Sequence, residues 1–172
     1  MASDISTLSR PDRARAWILA VRARFKTIIL GTASPEGDPD ASVAGAILCA
    51  NGSFCIYVSD LAVHTRHLLA TGRASVLLVE DESLTLQPLA RQRLTFACTA
   101  EAIARHHPEY ASAMLALREK FGPTFDLLAG LGGFQLFRLA PQSGRFVAGF
   151  GESYSIDPHD WAQLSPLGRP RG

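Results

Sequence analysis

The stretch Tyr57-Val-Ser-Asp-Leu-Ala-Val-His-Thr-Arg-His-Leu-Leu69 packs much polar chemistry into little chain. It holds a hydroxyl (Ser59), a carboxylate (Asp60), an imidazole (His64), a second hydroxyl (Thr65) and a guanidinium (Arg66). The order reads as the end of a strand, a tight turn and the first turn of a helix. The first N–H groups of a helix are unpaired and its macrodipole is positive there, so anions are favoured. With Thr65 and Arg66 added, the segment makes a phosphate seat. The same residues also fit an ordinary helix start, with Asp60 as N-cap and Arg66 as an exposed helix residue.

Other chemistries find less support. His64 and His67 are three apart and could share a helix face, but no nearby Cys, Asp or Glu completes a metal set. His106 and His107 are adjacent and point in different directions, so no metal site is expected. No G-x-G-x-x-G follows a strand, and the glycines of Gly130-Leu-Gly-Gly133 follow a helical segment and read as a loop. There is neither a Walker A lysine motif nor a G-x-S-x-G elbow. Cys49, Cys55 and Cys98 are odd in number, form no C-x-x-C and lie in apolar runs. They read as small buried hydrophobes in a reducing compartment.

Composition bounds the rest. A chain of 172 residues with 47% hydrophobic residues can bury one real core. Its net charge of +1 predicts no general attraction to nucleic acid or membrane. No apolar run reaches the roughly 20 residues of a membrane helix. The start Met-Ala-Ser-Asp-Ile-Ser lacks the features of a signal peptide, so cytoplasm is the expected compartment.

The elements that must position these residues follow from periodicity. Ser9-Arg-Pro-Asp12 is a helix start, and Ala14, Trp17, Ile18, Val21 and Phe25 recur at helical spacing. Lys26–Ala33 is a strand ending in the turn cluster Ser-Pro-Glu-Gly-Asp-Pro. Ala41–Cys49 and Phe54–Val58 flank Asn51-Gly52, a hairpin signal. The helix carrying His64 should end near Gly72, and Ala74–Val79 reads as a strand buried on both faces. After a loop over 80–90, Arg91–Arg105 alternates as a half-buried antiparallel strand, with Leu94, Phe96, Cys98, Ala100 and Ala102 on one face. A helix from His106 carries Tyr110, Met114, Leu117 and Phe121 on one side and stops at Gly122-Pro123. Phe134–Leu139 and Arg145–Phe150 are expected to pair as a second hairpin. Residues 1–156 form one domain, and 157–172 read as a loosely ordered tail. Six or seven antiparallel strands with three flanking helices predict a mainly β (α+β) fold, a small barrel with helices outside it.

Three blocks together resemble a known family. They are Val58-Ser-Asp-Leu-Ala with His64-Thr-Arg-His-Leu, then Ala90-Arg-Gln-Arg-Leu-Thr95, then Gly144-Arg-Phe-Val-Ala-Gly-Phe-Gly151. In this order they resemble the pyridoxamine 5'-phosphate oxidase-like family, and most of all its haem-utilisation branch. The resemblance runs from about Arg24 to Tyr154. It implies an FMN-binding split β-barrel, a homodimer with the cofactor in clefts between chains, and a flavin-dependent oxidoreductase acting on a small molecule. Haem binding or haem degradation on the same scaffold is the alternative, and a flavin carrier without turnover is another. On this resemblance Ser42 and Val43 face the flavin ring, and Ser59, Thr65 and Arg66 meet the phosphate. Gln92 and Arg93 approach from the partner chain, although Arg93 also fits a solvated strand position. For the haem alternative, the branch implies a late histidine ligand and an acid just before the final Phe-x-Leu strand. Gly133 stands where that acid is expected. The late histidine, His159, lies in Asp157-Pro-His-Asp160 and reads as an exposed turn residue rather than a ligand.

Overall fold

The computed structural model describes residues 8–85 and 87–167. Ser9 opens the first helix, Arg10–Arg24 (α1), by accepting a hydrogen bond from the Asp12 N–H, with Pro11 in the first turn where its missing N–H costs nothing. The strands are Thr27–Ala33 (β1), Pro39–Leu48 (β2), Phe54–Ser59 (β3), Arg73–Val79 (β4), Arg93–Ile103 (β5), Phe134–Gly149 (β6), Glu152–Ile156 (β7) and Leu164–Pro166 (β8). The other helices are Val63–Thr71 (α2), Pro108–Phe121 (α3) and Pro123–Gly130 (α4). The sheet runs β3-β2-β1-β4-β5-β6-β7-β8, and β3 also pairs with β6. That closure turns six strands into an antiparallel barrel, with β7 and β8 continuing beyond β6. The architecture is the mainly β split barrel expected from the sequence.

Two cores hold it. One fills the barrel, built from Ile28, Leu30, Phe54, Phe96 and Phe146 with Ile18 of α1 above them. The other lies outside the barrel wall, where Ile47, Cys55 and Leu136 meet Leu117 of α3 and Phe125 of α4. The alternation of β5 serves both. Leu94, Phe96 and Cys98 enter the barrel, while Ile103, from the opposite face, joins the outer core. Ala102 is exposed, so the inward stripe read from the sequence stops short of it.

Several elements differ from the sequence reading. There are four α-helices among the described residues, because the chain restarts after α3. Gly122 takes φ 62°, which ends α3, and Pro123 then opens α4 with its φ already helical. The expected hairpin over 134–150 is one continuous strand. β5 pairs along β6 from Ile103↔Leu136 to Arg93↔Val147, and a bulge opposite Ala97/Cys98 absorbs the extra residue. Pro141 sits at that bulge, where a missing donor is tolerated. β4 is not buried on both faces: Val76 and Leu78 are buried, Leu77 and Val79 are half-buried and Ser75 is exposed. The C-terminal segment within the described residues is anchored rather than loose. Trp161 is 1% exposed, its ring stacks on Phe96 at 4.8 Å, its indole N–H donates to the Pro158 carbonyl at 3.2 Å, and β8 pairs with β7. Polar, Pro-rich composition masked a single aromatic anchor.

Candidate functional site

β3 ends at Ser59, the chain turns through Asp60–Ala62, and α2 begins at Val63. The turn is held internally. The Ser59 hydroxyl accepts from the Leu61 N–H at 3.3 Å, and the Thr65 hydroxyl donates to the Ser59 carbonyl at 2.6 Å. Thr65 is buried, so it shapes this turn from below. α2 ends at Gly72 in the left-handed region with φ 62°, as its position in the sequence indicated.

Asp60 is not the N-cap. Ala62 occupies that position, and no side chain caps the helix. Asp60 is drawn away by the other strand. Its N–H donates to the Gly133 carbonyl at 2.8 Å, and its carboxylate accepts from Gln135 Nε2 at 2.6 Å. A Cβ built on Gly133 would lie 3.7 Å from Asp60 Oδ2. The Asp60 carboxylate thus lies beside Gly133, held by a pairing with Gln135 across 75 positions that local sequence could not show.

The result is a helix start open to an anion. The first N–H groups of α2 meet no capping side chain, and the Arg66 guanidinium folds back to donate to the Leu61 carbonyl just before the helix at 3.3 Å. Arg66 is exposed and makes no ion pair among the described residues.

Behind this start, two imidazoles tie α2 to the barrel. His64 Nδ1 lies 2.9 Å from the Ser42 hydroxyl of β2, and His67 Nδ1 lies 3.1 Å from the buried Thr32 hydroxyl of β1. The two histidines share a face, as their spacing indicated, and the Nδ1 of each faces a hydroxyl. His64 Nε2 is buried without a hydrogen-bond partner. Burial lowers the His64 pKa, Asp40 opposes the shift and His67 adds to it, so the ring is neutral at neutral pH. Thr32 gave no signal in the sequence, because a single threonine in a strand is ordinary.

The remaining candidates lie elsewhere. Val43 points away from Ser42 and is 67% exposed. With Ile29, Leu77 and Val79 it lines a groove of about 720 Å³ between α1 and the barrel wall, and Trp17 and Phe25 form the opposite side. That volume is in the range of small-molecule sites. Gln92 is fixed through its backbone, donating to Glu80 Oε2 at 3.3 Å and accepting from the Glu80 N–H at 2.8 Å. Its side-chain oxygen is buried and unpartnered. Arg93, half-buried, donates to the Arg91 carbonyl at 3.0 Å and pairs in register with Val79 of the groove. One chain therefore brings Ser42, Ser59, Thr65 and Arg66 together around α2, and places Val43, Gln92 and Arg93 toward the groove side. It does not unite the two groups.

Comparison with known proteins gives this geometry a setting. Residues 14–148 match the family model described as pyridoxamine 5'-phosphate oxidase. The chain is 35% identical over 139 residues to heme oxygenase HutZ of Vibrio cholerae, covering 81% of this chain and 78% of that protein. The crystal structure of HutZ, described as a heme storage protein, superposes with a TM-score of 0.70 at 32% identity, covering 74% of this chain and 89% of that one. A heme binding protein from Mycobacterium smegmatis superposes with a TM-score of 0.73 at 30% identity, covering 90% of this chain and 60% of that one.

Proposed function

The chain belongs to the pyridoxamine 5'-phosphate oxidase family, and on that premise we propose that it is a homodimeric member of the haem-utilisation branch that binds haem and supports its oxidative opening. The observation that carries the proposal is the open start of α2. Unpaired N–H groups and Arg66 stand together with no side chain to satisfy them. Haem ends in carboxylates, which suit such a seat.

The residues fit the anionic edge and the flat face of the group. Arg66 and the first turn of α2 would hold a carboxylate, and the exposed Val43 would lie against the ring. The Asp60–Gln135 pair places an acid beside Gly133, where the branch resemblance expects one. Haem, when bound, supplies the iron at which its own ring is oxidised. The chain contributes binding, orientation and a dry wall: His64 stays neutral behind the seat, and Thr65 keeps the turn rigid. A second copy of the chain would unite the two residue groups and cover the half-buried Leu77 and Val79.

FMN is the second reading, and one observation favours it. Among the described residues no histidine lines the groove, and His159 is exposed, with its N–H held at 2.8 Å by Asp157. A flavin needs no axial ligand, and its phosphate suits the same seat. Against it, the Thr65 hydroxyl already donates to the Ser59 carbonyl and is not free to donate to phosphate. Titration with haem tests the proposal. A saturable Soret band that decays on addition of ascorbate in air supports it. A protein that leaves haem unbound yet retains FMN through gel filtration overturns it in favour of the second reading.

A further inference from the structure

The end of the β2–β3 hairpin holds a second reactive feature, well apart from α2. Cys49 follows β2, Cys55 lies in β3, and their sulfurs are 2.7 Å apart. The tight loop sets this approach: the Cys49 N–H donates to the Ser53 carbonyl at 2.8 Å, and the Gly52 N–H donates to the Cys49 carbonyl at 2.9 Å. Both side chains border a cavity of about 200 Å³ that Asn51, Glu109, Ile103 and Leu136 also line. Such a space admits a molecule the size of water or peroxide, since one water takes about 30 Å³ of liquid volume. Cys49 is half-buried and Cys55 is buried, so the first is the more reachable.

We propose that Cys49 and Cys55 form a peroxide-responsive dithiol that closes into a reversible disulfide across the hairpin. The Cys49 thiolate attacks one oxygen of hydrogen peroxide. The O–O bond breaks, the departing hydroxide takes up the thiol proton as water, and Cys49 becomes a sulfenic acid. The Cys55 sulfur then attacks the Cys49 sulfur, the S–O bond breaks, and a second water leaves with the Cys55 proton. Two thiols and one peroxide give one disulfide and two waters, so the two electrons lost by sulfur reduce the peroxide. The environment orders the roles. A hydrogen bond from Cys55 lowers the Cys49 pKa against the effect of burial and of Glu109, while the same bond and burial raise Cys55. Cys98 is buried with no sulfur partner, and burial pushes its thiol up to about 12. It stays outside the reaction.

Trypsin provides a direct test, because no Lys or Arg lies between Lys26 and Arg66 and both sulfurs fall in one peptide. Native protein is treated with hydrogen peroxide, quenched with catalase, alkylated, denatured and digested. The expected 27–66 peptide has lost the mass of two hydrogens and carries no alkyl group, and prior treatment with dithiothreitol restores double alkylation. The Cys98 peptide is unchanged. In Cys55→Ser, dimedone traps the Cys49 sulfenic acid, which wild type shows only fleetingly. A 27–66 peptide that keeps both alkylatable thiols after peroxide, or gains oxygens without losing the two hydrogens, overturns the proposal. The wild-type peptide mass needs no variant to fold.

Discussion

Replacing Arg66 with alanine isolates the anion seat. The side chain is exposed, and its hydrogen bond among the described residues is to the Leu61 carbonyl at 3.3 Å, so its loss leaves α2 and the barrel in place. A charge-assisted contact to an anion contributes about 1.5–3 kcal/mol, and solvent exposure favours the lower half of that range. We take about 2 kcal/mol, which is about 30-fold in Kd. The assay is fluorescence quenching or Soret titration of wild type and Arg66→Ala with haem and with its dimethyl ester, in which both carboxylates are neutral. Haem should weaken by that factor, and the ester should bind the two proteins within about twofold. FMN and riboflavin form the matching pair for the second reading. Equal losses for acid and ester, or no loss for either, would refute the seat and return the α2 start to an ordinary helix end.

Trp161→Ala should destabilise the fold by about 3–5 kcal/mol in urea denaturation, since the ring is 1% exposed and stacks on Phe96; a loss under about 1 kcal/mol would contradict the anchoring of the C-terminal segment. Burial holds the His64 pKa below its ordinary 6.5, so the unfolded chain takes up the proton first. Stability from the neutral ring is complete above about pH 6.5 and falls as pH drops toward the lower folded value. Thermal melts between about pH 7.5 and 5.5 should therefore show a smaller acid loss in His64→Gln than in wild type, and identical profiles would oppose this reading. Sedimentation at micromolar concentration should give one dimeric species, and a monomer that binds its ligand stoichiometrically would remove the need for a second chain.

Much of the barrel was legible because its signals are local. Gly72 ends α2, Asn51-Gly52 marks the β2–β3 turn, and Leu94, Phe96 and Cys98 alternate into the core. What was missed depends on distant partners. The sequence around Pro141 and Gly144 has the composition of a hairpin turn, and pairing with β5 along its length, and with β7 from Gly144 on, keeps β6 extended there. Gly122-Pro123 stops one helix and starts another, and local residues alone do not distinguish the two outcomes. At the site, Ser59, Thr65 and Arg66 cluster because they are near in sequence. The N-cap reading of Asp60 fails because its partner, Gln135, lies on β6. Thr32 and Ser42 find their histidines only once α2 has packed against β1 and β2.

Haem and FMN compete for the same proposed seat, and their competition separates the two readings. Apoprotein equilibrated with equimolar haem and FMN, passed through gel filtration and read by absorbance and mass spectrometry tests it most directly. The expected result is a Soret band and one haem per chain, with flavin left in the small-molecule fraction. A yellow protein carrying FMN and no haem would contradict it.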